Sequence, residues 1–184
     1  MRFMANEDNG LVKHKTTDGI RIRVKYLPID YLVYNNIKNE EPALDKKGVD
    51  SVKKSYKNSL TFVLTLGPEE GKHFDITRVG VSNYEEFAQR IEEMSFHMHE
   101  YISLTINDLK YKPQLAQLES INTVEPSKNI IVVFDALDDN EESILTDDFT
   151  FTYIDELFYT GINNFKFNKS DVLALPTLNM LTHN

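Results

Sequence analysis

No cysteine occurs among the 184 residues, which excludes disulfide bonds, thiolate metal sites and a cysteine nucleophile while leaving the compartment open. No apolar stretch approaches the roughly 20 residues needed to span a bilayer. The opening run Met1–Gly10 likewise has no apolar segment that could form the core of an export signal. As written, the chain therefore predicts a cytoplasmic protein without direct membrane insertion. No Gly-x-Ser-x-Gly elbow is present, and the seven glycines are scattered rather than gathered into a phosphate-cradling loop. No period of 20 to 50 residues repeats, so a solenoid or propeller is not expected. Basic residues are also missing from one long stretch. Between Lys128 and Lys166 lie nine carboxylates and no Lys or Arg, so this segment accounts for the whole formal net charge of -9.

What is present describes a folding chain. Hydrophobic residues make up 41%, with eleven Phe and nine Tyr, a composition able to build one sizeable core and unlike that of a disordered chain. Residues 1–18 are polar and aperiodic and read as a flexible N-terminal arm, leaving 19–184 as a single β-rich domain. Ile20, Ile22, Val24 and Tyr26 alternate with Arg21, Arg23 and Lys25, the period-two pattern of a strand with one face buried and a uniformly cationic outer face. Pro28 ends it, and Asp30–Tyr34 follows as a short apolar element. Val49, Val52 and Tyr56 have helical spacing. Leu60, Phe62, Leu64 and Leu66 alternate with Thr61, Val63 and Thr65, and Gly67-Pro68 closes this second strand.

A capped helix is predicted from Ser82, with Glu85 reaching back to the start and Tyr84, Phe87, Ala88, Ile91, Met94 and Met98 on one face. It runs into a strand at Ile102, Leu104 and Ile106 that Leu109 and Tyr111 would continue to Pro113. Ile130–Phe134 is apolar on both faces and is expected to be the central strand. Phe149, Phe151 and Tyr153 pair with Phe165 and Phe167 as a hairpin across Tyr159-Thr160-Gly161, and a helical turn from Ser170 stops before Pro176. Strands and helices do not alternate regularly. The pattern therefore predicts an α+β fold, mainly antiparallel and sandwich-like, with one firm amphipathic helix.

Candidate chemistry is sparse. Asp135, Asp138, Asp139 and Glu141 offer hard oxygen ligands for calcium, although their spacing lacks the register and central glycine of an EF-hand. The same loop, with Glu142, Asp147 and Asp148, would also serve as a solvated connection or as an acidic contact surface for a basic partner. His97-Met98-His99-Glu100, with Glu93 before it, is the one cluster of imidazole and carboxylate, but it supplies no third imidazole for zinc. The ordinary reading is a helix C-terminus that favours protonated imidazole. Arg21, Arg23 and Lys25 could track phosphates, yet the net negative charge opposes nucleic-acid binding. No constellation supports nucleophilic or paired-carboxylate catalysis, so a non-catalytic protein is expected.

Tyr26-Leu27-Pro28 with Asp30-Tyr31-Leu32, and Phe158-Tyr159-Thr160-Gly161-Ile162 with Phe165, Phe167 and Leu175-Pro176, resemble segments of uncharacterised lipoproteins of Gram-negative cell envelopes. The chain departs from that pattern in having no cysteine to acylate and no apolar export segment. The resemblance implies an accessory role on a membrane-bound assembly, in the periplasm or envelope, once an export segment has been removed. It carries over no active-site residue. The resulting expectation is a protein–protein interaction module, an accessory or structural subunit partnered by other protein subunits. Its contact residues would be Arg21, Arg23 and Lys25 on one side and Asp138, Asp139, Glu141 and Glu142 on the other; the alternative is a calcium- or small-ligand-binding domain using the acidic loop.

Overall fold

The computed structural model describes residues 9–37, 45–120, 125–135 and 147–174. Over these residues the chain adopts an α+β fold with two antiparallel sheets. One sheet holds, in spatial order, β1 (Val12–Thr17), β2 (Ile20–Leu27), β3 (Leu60–Pro68), β7 (Lys128–Phe134) and β6 (Leu115–Leu118). The other holds β5 (Leu109–Tyr111), β4 (Ile102–Ile106), β8 (Phe149–Asp155) and β9 (Gly161–Phe167). Helices α1 (Ile29–Ile37) and α2 (Lys46–Ser55) connect β2 to β3. Helix α3 (Tyr84–Glu92), a π-helical turn (Glu93–His97) and α4 (Met98–Tyr101) form one continuous rod leading into β4, and α5 (Lys169–Leu173) follows β9.

The two sheets face each other across an aromatic core. Phe62 of the five-stranded sheet lies 5.1 Å from Phe151, 5.7 Å from Phe167 and 5.9 Å from Phe149 of the four-stranded sheet, centroid to centroid. It also meets Tyr26 and Phe134 within its own sheet. These tilted and edge-on contacts match the aromatic quadrupole and add to the area that the rings bury. The core positions are the inward half of each alternating strand: Ile22, Val24, Leu64, Leu66, Ile130, Val132 and Phe151 are all 0% exposed.

Three sequence expectations about the strands are corrected. Residues 12–17, assigned to the arm, form β1, and Leu11 is fully buried with its carbonyl accepting from Tyr26 N at 2.9 Å. The polar run is an edge strand: its lysines guard an open edge, and Asp18-Gly19, with φ of 52° and 82°, makes the two-residue hairpin turn to β2. Leu109 and Tyr111 do not continue β4. They fold back as β5 across Asn107-Asp108, both left-handed, with Ile106 paired to Leu109. Strand β7 is not the central strand; β3 is, and Ile131 and Val133 on the outward side of β7 are only half-buried. Their β-branched side chains suit a pleated surface without full coverage.

The amphipathic helix is capped by Asn83, one residue later than the predicted Ser82. Asn83 Oδ1 accepts from Glu86 N at 3.0 Å, and Glu86 Oε2 accepts from Ser82 N at 2.7 Å, a reciprocal arrangement that satisfies two helix-start donors. Its predicted core stripe splits. Met94 and Met98 are 0% exposed, whereas Tyr84 is 83% exposed, Ala88 is exposed and no residue of α3 is buried. Phe87 and Ile91 are half-buried, so the stripe lifts from the core toward its N-terminal end, and a π-helical turn over Glu93–His97 widens the local spacing between Met94 and Met98.

Candidate functional site

The cationic strand face forms as the alternation of β2 requires. Its inward residues Ile20, Ile22, Val24 and Tyr26 are buried, and Arg21, Arg23 and Lys25 stand half-buried on the opposite side. Register fixes their neighbours. Arg21 pairs with Thr16 and Gly67, Arg23 with His14 and Thr65, and Lys25 with Val12 and Val63. None of these directly opposed residues is acidic, and residues opposed in an antiparallel pair share a face. Further across, Thr65 Oγ1 donates to Asn129 Oδ1 at 2.8 Å and Asn129 Nδ2 donates to Glu119 Oε2 at 3.0 Å. This polar ladder is flanked by half-buried Val63, Ile131 and Val133. Lys25 Nζ lies 5.9 Å from the centre of the Tyr31 ring. Partial burial holds its pKa below the ordinary lysine value, with Arg23 acting in the same direction and Tyr31 opposing.

The acidic territory is only partly described. Asp138, Asp139, Glu141 and Glu142 lie outside the described residues, as does Leu175-Pro176; Asp135 is exposed. Among the described residues no group of three or more His, Asp and Glu side chains could hold a metal ion. Beyond the loop, Asp148 accepts from Lys169 N at 3.0 Å and pairs with Lys166 Nζ at 2.9 Å. Its pKa is lowered first by that backbone donor and then by Lys166. The His97 cluster does not converge. His97 Nδ1 meets Glu100 Oε1 at 3.3 Å, His99 Nδ1 meets the Phe96 carbonyl at 3.0 Å, and Glu93 Oε2 accepts from Tyr101 OH at 3.2 Å.

A second surface escaped the sequence reading. The turn from β8 to β9 is organised by Asp155, 3% exposed, whose two oxygens accept five hydrogen bonds. The donors are Tyr153 OH (2.8 Å), Leu157 N (3.1 Å), Phe158 N (3.0 Å), Thr160 N (3.1 Å) and Thr160 Oγ1 (2.6 Å). Burial, followed by the neighbouring Asp155 carboxylate, pushes the Tyr153 phenol well above its ordinary pKa. The turn holds Tyr159 in the left-handed region, φ 59°, with its side chain 83% exposed.

Opposite that turn, α3 presents Glu86, Gln89 and Arg90, and the first residue of the π turn adds Glu93, spaced i, i+3, i+4 and i+7. Between helix and turn runs a cleft of about 280 Å³. The Arg90 guanidinium lies 4.7 Å from the Phe158 ring centre and donates to the Val79 carbonyl at 3.2 Å. Desolvation lowers its pKa, opposed by Asp155. The only hint in the sequence was the unremarkable i, i+3, i+4, i+7 polar stripe, which ordinarily marks a solvated helix face.

No protein-family model matches the chain, and no curated protein matches it. Among solved structures it is similar to a protein of unknown function from Burkholderia pseudomallei K96243, at 13% identity, over 94% of this chain and 84% of that one, with a TM-score of 0.40.

Proposed function

We propose that the protein is a non-catalytic interaction module, an accessory or structural subunit that docks another protein subunit on the outer face of its five-stranded sheet. One observation carries this reading. Arg21, Arg23 and Lys25 project together from one half-buried strand face, beside half-buried Val63, Ile131 and Val133. Such a surface fits a partner segment that is acidic and also carries apolar residues: the charges steer and orient it, and the apolar contacts hold it. The envelope-lipoprotein resemblance agrees with an accessory role and rests on its own segments.

The test is affinity purification of the tagged protein from its native cells, compared with the triple variant Arg21→Glu, Arg23→Glu, Lys25→Glu and a milder triple Gln variant. The reading expects a stoichiometric companion that elutes as salt rises, is lost from the Glu variant and is weakened in the Gln variant, while both variants melt cooperatively. A companion recovered equally by all three proteins removes this face from consideration.

A further inference from the structure

The cleft between α3 and the β8–β9 turn contains polar groups that the fold itself does not use. A guanidinium has five N–H donors, and among the described residues Arg90 gives one hydrogen bond, to Val79. It makes no ion pair there with Glu86 or Glu93, although both lie within one helical turn. Glu86 is engaged by Ser82 N and Asn83 Nδ2, and Glu93 by Tyr101 OH. Packed on Phe158 and tied to a backbone carbonyl, the Arg90 fork is fixed in place with its remaining donors available. Glu156 is exposed at the cleft wall. Tyr159 shows its ring at the rim from a backbone conformation costing a non-glycine residue roughly 1–2 kcal/mol. Strain held in place beside unused polar groups is a signature of binding sites.

The charges narrow the ligand. A simple anion would meet Arg90 but face the carboxylates of Glu86, Glu93 and Glu156; a simple cation would meet the carboxylates but face Arg90. A molecule carrying both charges a few atoms apart answers both. The cleft volume of about 280 Å³ equals that of about nine liquid waters, room for an amino acid or a dipeptide.

We propose that this cleft binds a small amino-carboxylate, a free amino acid or a short peptide, with its carboxylate on Arg90 and its ammonium beside Glu93, Glu156 and the Tyr159 ring. A bidentate guanidinium–carboxylate pair supplies orientation as well as affinity. This site is separate from the strand face proposed above and stands or falls independently of it.

The experiment titrates the ¹⁵N-labelled full chain with pools of free L-amino acids and, separately, with the dipeptides Gly-Gly and Ala-Ala, to millimolar concentration. Saturable shifts of the Gly80, Gln89, Arg90 and Tyr159 amides are expected, and whichever pool binds more tightly identifies the source. N-acetylation or methyl esterification of the binding compound should abolish the shifts. Arg90→Met should weaken binding at least about tenfold, as expected for loss of a charge-assisted pair. Glu156→Gln, at an exposed position that tolerates substitution, should weaken it by a smaller factor and decides the matter if the Arg90 variant fails to fold. The proposal is overturned if no pool gives saturable shifts, if blocked compounds bind as well as free ones, or if the folded variants bind like the unaltered protein.

Discussion

Replacing Asp155 with Ala should be among the most damaging single changes in this chain. Its carboxylate is the common acceptor for five donors, of which the Tyr153 and Thr160 hydroxyls and the Leu157 and Thr160 amides belong to buried residues. A buried donor left without a partner costs about 1–3 kcal/mol. Four such donors would cost well above that, but water entering the vacated turn and relief of the buried charge offset part of the loss. The expected net destabilisation is therefore about 4 kcal/mol, in the range for breaking a buried charged network. Asp155→Asn keeps an acceptor for the Tyr153, Leu157 and Phe158 donors but sets an amide donor against Thr160 N, so about half that cost is expected. Urea unfolding measures both changes as a shift in midpoint at constant slope. A loss below about 0.5 kcal/mol for Asp155→Ala, the size of an ordinary surface change, would refute the claim that this carboxylate organises the turn.

Four further outcomes are expected. Phe62→Ala removes the ring that contacts five others and should cost about 3–5 kcal/mol in the same unfolding assay. Leu11→Ala should cost about 2–4 kcal/mol, since Leu11 is 0% exposed; a flexible arm would show no loss. Tyr159→Gly should leave the midpoint within about 0.5 kcal/mol of its original position, because relief of left-handed strain offsets the added freedom of the unfolded chain. Tyr26 and Tyr153 both have phenol pKa values raised by burial, so the unfolded chain releases these protons above pH 10 while the folded chain retains them. Their contribution is whole below the ordinary tyrosine pKa and is lost as pH rises through the folded values, giving alkaline unfolding that a melting series above pH 10 would reveal. Tyr153→Phe should move its onset to higher pH.

The strands that build the core were legible because each carries a period of two strong enough to survive without context. Residues Ile20–Tyr26, Leu60–Leu66 and the Phe149–Tyr153/Phe165–Phe167 hairpin all stand where alternation places them. Misreadings arose where an element is polar or short. Strand β1 shows almost no apolar period because it is an edge, yet its Asp-Gly turn was visible. Strand β6 buries Ala116 and Leu118 across only four residues and left no pattern to read. The Arg90 cleft was invisible for a different reason. It depends on the distance between a helix face and a turn some seventy positions later, and no local pattern encodes that separation.

The π turn links these observations. Had the rod from Tyr84 to Tyr101 been regular α-helix throughout, Tyr84, Phe87, Ala88 and Ile91 would share a stripe with Met94 and Met98. Burying the methionines would then draw the whole stripe onto the sandwich. With the wider turn in place, Met94 and Met98 anchor the rod at 0% exposure and α3 keeps no buried residue. Glu86, Gln89, Arg90 and Glu93 line the cleft against the β8–β9 turn. The expectation is that this local departure from α geometry, costing some hydrogen-bond quality, sets how far α3 lifts from the sandwich beside the cleft. Removing it tests the connection: deletion of Ser95, which restores regular α spacing, should bury Ile91 and Phe87, raise the melting temperature and close the cleft around Arg90.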